Sequence, residues 1–280
     1  MERIRAAFDQ LRRAHRKALI PFIMGGHPSL SMTGPLLLAL EDAGADLIEV
    51  GIPFSDPLAD GPTIQGASAL ALARGTTPGR VLSAIASVRR RLRAPVVCLS
   101  YWNPLVQFAG PPRGGGRWGD PGMLGSPQAF VREAHESGVS GVIVQDLPVE
   151  KGSALREVAS RERFAAVFLA APTSPPDRLR MIARASEGFI YYVSVMGTTG
   201  VRRVLPQTLV HGVRELKLLT TKPVCVGFGI STPAQAATVA RIADGVIVGS
   251  ALIQAIDRAK GRAGALRHAA GLVRRLRSAV

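Results

Sequence analysis

The sequence repeats one pattern, in which short apolar runs of β type alternate with segments whose apolar residues have helical spacing. There are eight such runs, at residues 18–26, 45–52, 95–101, 141–147, 164–170, 189–195, 223–230 and 244–250. Strands that are apolar throughout and alternate with helices predict a parallel sheet covered on its faces. Eight units in 280 residues favour an α/β fold closed as a (β/α)8 TIM barrel. An open doubly wound sheet would have fewer strands and a dinucleotide-type glycine loop after the first.

Three segments lie outside these units. Residues 2–14 predict an extra N-terminal helix that covers the bottom of the barrel, and residues 250–278 predict one extended last helix. Residues 109–127 contain seven Gly and four Pro, which predicts a long Gly/Pro-rich loop after strand 3. That loop could be a tolerated surface insertion or a contact for a partner. The whole chain, residues 1–280, is predicted to be a single barrel domain.

Charge and hydropathy limit the classes of function. The net charge is +15, and residues 1–17 and 258–280 together carry +11 of it. A basic terminal helix is more often a solvated face than a binding surface, so nucleic acid is not the expected partner. No apolar stretch is long enough for a membrane span, and the start is too polar for a signal peptide. Cys98 and Cys225 lie in apolar runs, as buried free thiols do, and a cytoplasmic location is predicted.

The stretch LIEVGIPFSDPLADGPTIQ, residues 47–65, places a carboxylate inside a predicted buried strand. Strand alternation puts Glu49 on the side opposite Ile48 and Val50, and therefore inside the barrel mouth. Desolvation there would raise the pKa of Glu49 toward neutrality, as a group that both gives and takes a proton requires. The alternative is a structural carboxylate paired with Arg or Lys.

The loop that follows this strand supplies two more carboxylates, Asp56 and Asp60, between prolines that restrict its backbone. Either aspartate could simply cap a turn. Asp60 is the stronger candidate for function, as a second carboxylate beside Glu49. One carboxylate could move protons at carbon while the other stabilises positive charge elsewhere on the substrate.

The remaining strand ends point to a phosphorylated, partly apolar substrate. Glycine-rich loops at residues 196–200, 227–230 and 249–251 follow the sixth, seventh and eighth apolar runs, where barrels commonly bind phosphate. Six residues could form either an apolar slot for a flat aromatic body or ordinary core: Phe22, Leu99, Tyr101, Ile143, Tyr191 and Phe228. The five His are scattered, which predicts no metal site, and there is no nucleophile elbow or Schiff-base lysine. Acid–base chemistry without a cofactor is expected.

These residues closely resemble the tryptophan synthase alpha chain family over nearly the whole length. The matching stretches are PFIMGGHPS, DLIEVGIPFSDPLADGPTIQGASALAL, YWNPL, QDLP, FLAAPTS, GFIYYVSVMGTTG, PVCVGFGIS and ADGVIVGSAL. The resemblance implies retro-aldol cleavage of indole-3-glycerol phosphate to indole and glyceraldehyde 3-phosphate. It implies that Glu49 is the general acid and base and that Asp60 holds the indole N–H. The other implied roles are substrate packing by Phe22, Leu99 and Tyr191, loop support by Thr199, and phosphate binding by Gly200, Gly229, Gly249 and Ser250.

The resemblance also implies a beta-chain partner in an alpha2-beta2 tetramer, with pyridoxal phosphate on the partner only. A stand-alone lyase that releases free indole is the alternative, and a scaffold protein that uses its basic ends on RNA or an acidic partner is a third hypothesis. Four positions depart from the family pattern without removing a proton-transfer group: Met24, His27, Gln145 and Thr198. The loop at 109–127 is longer than in the family.

Overall fold

The computed structural model describes residues 1–110, 125–193, 206–227 and 229–280. Its strands are β1 (Ala18–Met24), β2 (Ile48–Gly51), β3 (Val96–Ser100), β4 (Val139–Val144), β5 (Ala165–Val167), β6 (Leu169–Ala170), β7 (Ile190–Val193), β8 (Val224–Gly227) and β9 (Gly245–Val248). All pair in parallel, in the order β5-β4-β3-β2-β1-β9-β8-β7-β6. Only Phe168 separates β5 from β6, so these are two halves of the fifth barrel strand, each paired with a different neighbour. The predicted TIM barrel is confirmed.

Helices cover the outside of this sheet. They are α1 (Glu2–Arg13), α2 (Leu30–Asp42), α3 (Pro62–Ala73), α4 (Pro78–Ala86), α5 (Trp102–Val106), α6 (Pro127–Glu136), α7 (Ser153–Arg161), α8 (Pro176–Ala185), α9 (Gln207–Leu219), α10 (Pro233–Ala240), α11 (Ser250–Asp257) and α12 (Gly261–Arg277), with a 3-10 turn at Val149–Lys151. Several begin with Pro, whose fixed φ suits the first helical position. The side chains of Thr77, Ser126 and Thr232 cap three of these starts.

Two apolar layers separate the inside of the barrel from its helical coat. Ile48 and Val50 belong to the outer layer, between the sheet and the helices. Leu47 belongs to the inner layer, together with Ile4 and Phe8 of α1. The ring centroids of Phe8 and Phe189 lie 6.0 Å apart. Helix α1 therefore covers the bottom of the barrel, as predicted.

The single extended last helix predicted over residues 250–278 is wrong. The chain forms α11 and α12, separated near Gly261, whose φ of +69° belongs to the left-handed region that favours glycine. The two helices pack on each other, while α11 also packs on β1 and α3 and α12 packs on α2. Helical periodicity in the sequence continues across this turn, which explains the error.

Two of the basic residues near the chain ends, Arg3 and Arg277, bind polar groups at the bottom of the barrel. Arg277 Nη1 donates to Asp46 Oδ2 at 2.5 Å, and Asp46 Oδ2 also accepts from the Leu19 N–H at 2.8 Å. Arg3 donates to the carbonyl oxygens of Leu92, Arg93, Ala94 and Gly138. Within the described ranges, no helix has the length and apolar character needed to cross a membrane.

The predicted loop at 109–127 is only partly described. Residues 109, 110 and 125–127 belong to the described ranges, and residues 111–124 lie outside them. The Ser126 N–H donates to the Phe108 carbonyl at 3.0 Å, so the two described ends of this segment lie side by side.

Candidate active site

Glu49 lies inside the barrel, near the carboxyl end of β2. It stands level with Phe22 of β1 and Val97 of β3, and it is 1% exposed. The predicted direction of its side chain is confirmed, because Ile48 and Val50 face the outer layer. Its Oε1 atom is buried and has no hydrogen-bond partner among the described residues, and no ion pair to Glu49 occurs among them. The alternative of a structural carboxylate held by Arg or Lys has no support in these ranges.

The surroundings of Glu49 change its acidity strongly. Burial is the main cause, and the nearby charge of Asp60 adds to it, and together they raise the pKa of Glu49 to about 8. The carboxyl is therefore mostly protonated at pH 7 and can lose its proton at little cost. A general acid and base works best when its pKa lies near the working pH.

Asp60 lies in the loop between β2 and α3, and side chains from two neighbouring strand ends bind this loop. Gln145 Nε2, directly after β4, donates to Asp60 Oδ1 at 3.1 Å. The hydroxyl group of Tyr101, directly after β3, accepts from the Ala59 N–H at 3.0 Å, next to Asp60 in the chain. Burial raises the pKa of Asp60, and the hydrogen bond from Gln145 opposes that rise.

The rest of this loop is fixed through its backbone. Gln65 Nε2 donates to the carbonyl oxygens of Asp60 at 2.9 Å and Pro57 at 3.3 Å. Asp56 is exposed and accepts a hydrogen bond from the Ser55 hydroxyl group. The Leu58 N–H donates to the backbone carbonyl of Asp56 at 2.9 Å, so Asp56 lies in a turn in which its backbone, and not its carboxylate, accepts this hydrogen bond among the described residues.

The predicted apolar slot lies beside Glu49. Phe22, Leu99 and Ile143 are buried in the inner layer, and Tyr191 packs against that layer from β7. Glycines make room for the two rings: a Cβ on Gly51 would lie 2.8 Å from Phe22 Cζ, and one on Gly227 would lie 2.4 Å from the Tyr191 hydroxyl oxygen. Burial, and then the charges of Glu49 and Asp60, raise the pKa of Tyr191. The slot and both carboxylates therefore share one space.

Two predicted anion-binding loops lie side by side, because β8 and β9 are neighbours. Gly229 has a φ of +53°, and a Cβ there would meet no other atom within 4 Å. Gly249 precedes α11 and Ser250 begins it. The first N–H groups of a helix have no partner within the helix and attract anions. Thr198, Thr199, Gly200 and Phe228 lie outside the described residues.

Sequence reasoning missed two contacts near the mouth. The first is the Gln145–Asp60 hydrogen bond, for which the only signal was the place of Gln145 at a strand end. The second joins His27 to Asp257 on α11, with 2.8 Å between His27 Nε2 and Asp257 Oδ1. His27 lies in the loop after β1 and is 2% exposed. Burial lowers the pKa of His27, and Asp257 opposes that effect. No group of three or more potential metal ligands occurs in the described part of the chain.

Known proteins are similar to this chain in sequence and in fold. A family model described as tryptophan synthase alpha chain matches residues 8–280. The tryptophan synthase alpha chain of Geotalea daltonii is 43% identical over 262 residues, which cover 94% of this chain and 93% of that protein. The protein of the same name from Gloeobacter violaceus is 46% identical over 258 residues, covering 92% and 87%.

Solved structures agree with the sequence relatives. Tryptophan synthase subunit alpha from Legionella pneumophila superposes with a TM-score of 0.85 and 33% identity, covering 99% of this chain and 97% of that chain. A chain of tryptophan synthase from M. tuberculosis, in an open form with BRD0059 bound, gives a TM-score of 0.84 and 33% identity, covering 99% and 98%. The chain belongs to the tryptophan synthase alpha chain family.

Proposed function

We propose that this chain catalyses the alpha reaction of tryptophan synthase, the cleavage of indole-3-glycerol phosphate to indole and glyceraldehyde 3-phosphate. The observation that carries the proposal is the buried carboxyl of Glu49, whose pKa burial and the charge of Asp60 raise to about 8, beside an aromatic slot in a barrel whose β8 and β9 end in glycine loops. A substrate with a flat apolar ring at one end and a phosphate at the other fits that arrangement.

The reaction needs one proton to be delivered and one to be removed. Protonated Glu49 gives its proton to C3 of the indole ring, which turns the ring into a cation that still carries its N–H. The bond from C3 to the glycerol carbon then breaks, and its electron pair returns to the ring. The hydroxyl group on that carbon becomes the aldehyde, and its proton passes to the Glu49 carboxylate. Glu49 ends the cycle protonated, as it began.

Asp60 acts on the ring cation rather than on the bond that breaks. Its carboxylate accepts a hydrogen bond from the indole N–H, and this bond strengthens as positive charge develops on the ring. Interactions that strengthen in the transition state accelerate the chemical step. Asp60 therefore has to be ionised, while Glu49 has to start protonated. Two differences favour the ionised form of Asp60 over that of Glu49: Asp60 is less buried, and among the described groups it receives the hydrogen bond from Gln145.

The other predicted residues hold the substrate in place. Phe22, Leu99, Ile143 and Tyr191 pack on the indole ring, and Phe228 is assigned to the same slot. The phosphate group lies at the loops of Gly229, Gly249 and Ser250, to which Gly200 is added, with Thr199 supporting the loop after β7. No cofactor is needed, because each step above is a proton transfer or an electron-pair shift within the substrate.

We further propose a beta-chain partner in an alpha2-beta2 tetramer, with pyridoxal phosphate bound by that partner, and a cytoplasmic location. Support comes from the relatives, which are named tryptophan synthase alpha chain. Leu58, at the tip of the Asp60 loop, is 93% exposed. A cavity of about 940 Å³ lies against Phe54, at the start of the same loop, and against Pro104 and Phe108. We assign this apolar region beside the mouth to the beta chain.

The test is indole release from indole-3-glycerol phosphate, with and without a beta chain. We expect Glu49→Gln and Asp60→Asn each to lower kcat by about 10² to 10⁴, the usual contribution of one such group. Glu157→Gln, which changes an exposed carboxylate on α7, is the matched control and should keep the native rate. A native rate in Glu49→Gln would refute the role of Glu49. Turnover that does not respond to the beta chain would favour the stand-alone lyase.

A further inference from the structure

We propose that Gln145 is a positioning residue, which holds the Asp60 carboxylate charged and oriented for the ring cation. This inference rests on the proposed function, because it assigns a task to the group that supports Asp60. Gln145 does not contact the reacting atoms itself. It acts through one hydrogen bond, from its Nε2 to Asp60 Oδ1 at 3.1 Å, which joins residues 85 positions apart.

Backbone hydrogen bonding fixes the position from which the Gln145 side chain reaches Asp60. The Gln145 N–H donates to the Ser100 carbonyl at 2.9 Å, which continues the pairing of β4 with β3 by one residue. Tyr101 follows Ser100 directly, and its ring packs on Phe54 with 5.1 Å between centroids. The end of β4 thus presents an amide donor to the Asp60 carboxylate, and the end of β3 holds the loop beside it through the Tyr101 hydroxyl group. Asp60 itself comes from the loop after β2, so three consecutive strand ends meet at this point.

The chemical type of the donor matters as much as its place. An amide carries no charge, so it stabilises the ionised form of Asp60 without cancelling its negative charge. Arg or Lys at position 145 would form a salt bridge, and the carboxylate would then attract the developing ring cation less strongly. A side chain without a donor would leave burial as the dominant influence on the pKa of Asp60, and burial raises it.

Among the described residues, the charge of Asp60 shifts the pKa of three titratable groups: Glu49 on β2, Tyr101 after β3 and Tyr191 on β7. Burial raises the pKa of both tyrosines, so they stay neutral through the range where an aspartate titrates. Glu49, with its pKa of about 8, is still protonated there. The decrease of the rate at low pH, the acid limb of the pH profile, should therefore follow the protonation of Asp60. The decrease at high pH, the alkaline limb, should follow the loss of the Glu49 proton.

The experiment is the pH profile of kcat/KM for indole-3-glycerol phosphate in Gln145→Met, measured in the complex with a beta chain. Met keeps the length of the side chain and removes the donor. Loss of a hydrogen bond to the charged form raises the pKa of Asp60, so the acid limb should move up by about one pH unit. At a pH on that limb, kcat should fall about tenfold, while KM changes less than twofold, because the bond to the ring is strongest in the transition state.

Gln65→Met is the matched control. Gln65 also ties down this loop through Nε2, but its bonds go to the backbone carbonyls of Asp60 and Pro57 and not to a carboxylate. Loosening of the loop alone should lower the rate by the same factor at every pH and leave the acid limb in place. Gln145→Lys adds a second check: it should move the acid limb to lower pH and still lower kcat.

Two results would overturn the inference. One is an acid limb in Gln145→Met that coincides with the native limb, and the other is an equal shift in Gln65→Met. Failure of the proposed function looks different, since the native protein would then cleave no substrate or Asp60→Asn would keep the full rate. Native cleavage, an inactive Asp60→Asn and an unmoved limb in Gln145→Met would refute only the role of Gln145.

Discussion

Replacing Glu49 by Gln should stabilise the fold, by an amount that grows with pH. The folded chain binds the Glu49 proton more tightly than the unfolded chain, because burial raises the pKa from 4.5 to about 8. Stability from this group is fully present below pH 4.5 and is lost as the pH rises through 8. The loss is about 1.4 kcal/mol per pH unit over most of that window. Glutamine does not titrate, so the stability of Glu49→Gln does not fall with pH for this reason.

The expected size follows from the two pKa values. Between pH 5.5 and pH 7.5, the free energy of unfolding of Glu49→Gln should rise by about 2 to 3 kcal/mol relative to that of the native chain. Urea unfolding followed by far-UV circular dichroism at pH 5.5, 6.5 and 7.5 measures this difference. The control is Glu157→Gln, on the exposed face of α7. Its free energy of unfolding should stay within about 0.5 kcal/mol of that of the native chain at each pH. A difference between Glu49→Gln and the native chain that does not change with pH would refute the reasoning.

Two other perturbations test the packing around the barrel. Arg277→Met should cost about 2 kcal/mol in urea unfolding, because it removes the shorter ion pair of the largely buried Asp46 and leaves the pair with Arg16 at 3.6 Å. Adding Asp46→Asn should recover part of that loss, and an equal or larger loss in the double variant would contradict this. Gly51→Ala places a Cβ 2.8 Å from Phe22 Cζ, so it should cost about 1–3 kcal/mol of stability and raise KM, because the Phe22 ring moves into the slot. In the control Gly61→Ala the new Cβ meets no atom within 4 Å, so KM should stay unchanged. Equal KM values in the two variants would contradict the slot.

The architecture of the barrel could be predicted because it depends on local patterns. Apolar runs of strand length alternate with helical spacing, and each run becomes a strand of the sheet. The direction of Glu49 followed from the two-residue period of a strand, once Ile48 and Val50 were assigned to the helical side. Buried free thiols at Cys98 and Cys225 are confirmed for the same reason, since both lie within strands.

Features that depend on contacts between distant segments could not be predicted. Gln145 and Asp60 are 85 residues apart, and beyond the place of Gln145 at a strand end the local sequence of neither residue indicates their hydrogen bond. The division of the last helix depends on where α12 packs against α2, and the division of the fifth strand depends on the closure of the sheet around Phe168. The assignment of residues 1–280 to a single domain stays a prediction, and so do the roles of the individual site residues.

The central claim is that Glu49 holds its proton near neutral pH inside the barrel mouth. The most direct measurement is a carbon-13 NMR titration of the side-chain carboxyl carbons in glutamate-labelled protein, with the Glu49 signal identified by its absence from Glu49→Gln. A midpoint near pH 8 is expected, because burial and the charge of Asp60 both raise the pKa. A midpoint near pH 4.5 would contradict the account, since Glu49 would then be ionised at neutral pH and would have no proton to give to the indole ring.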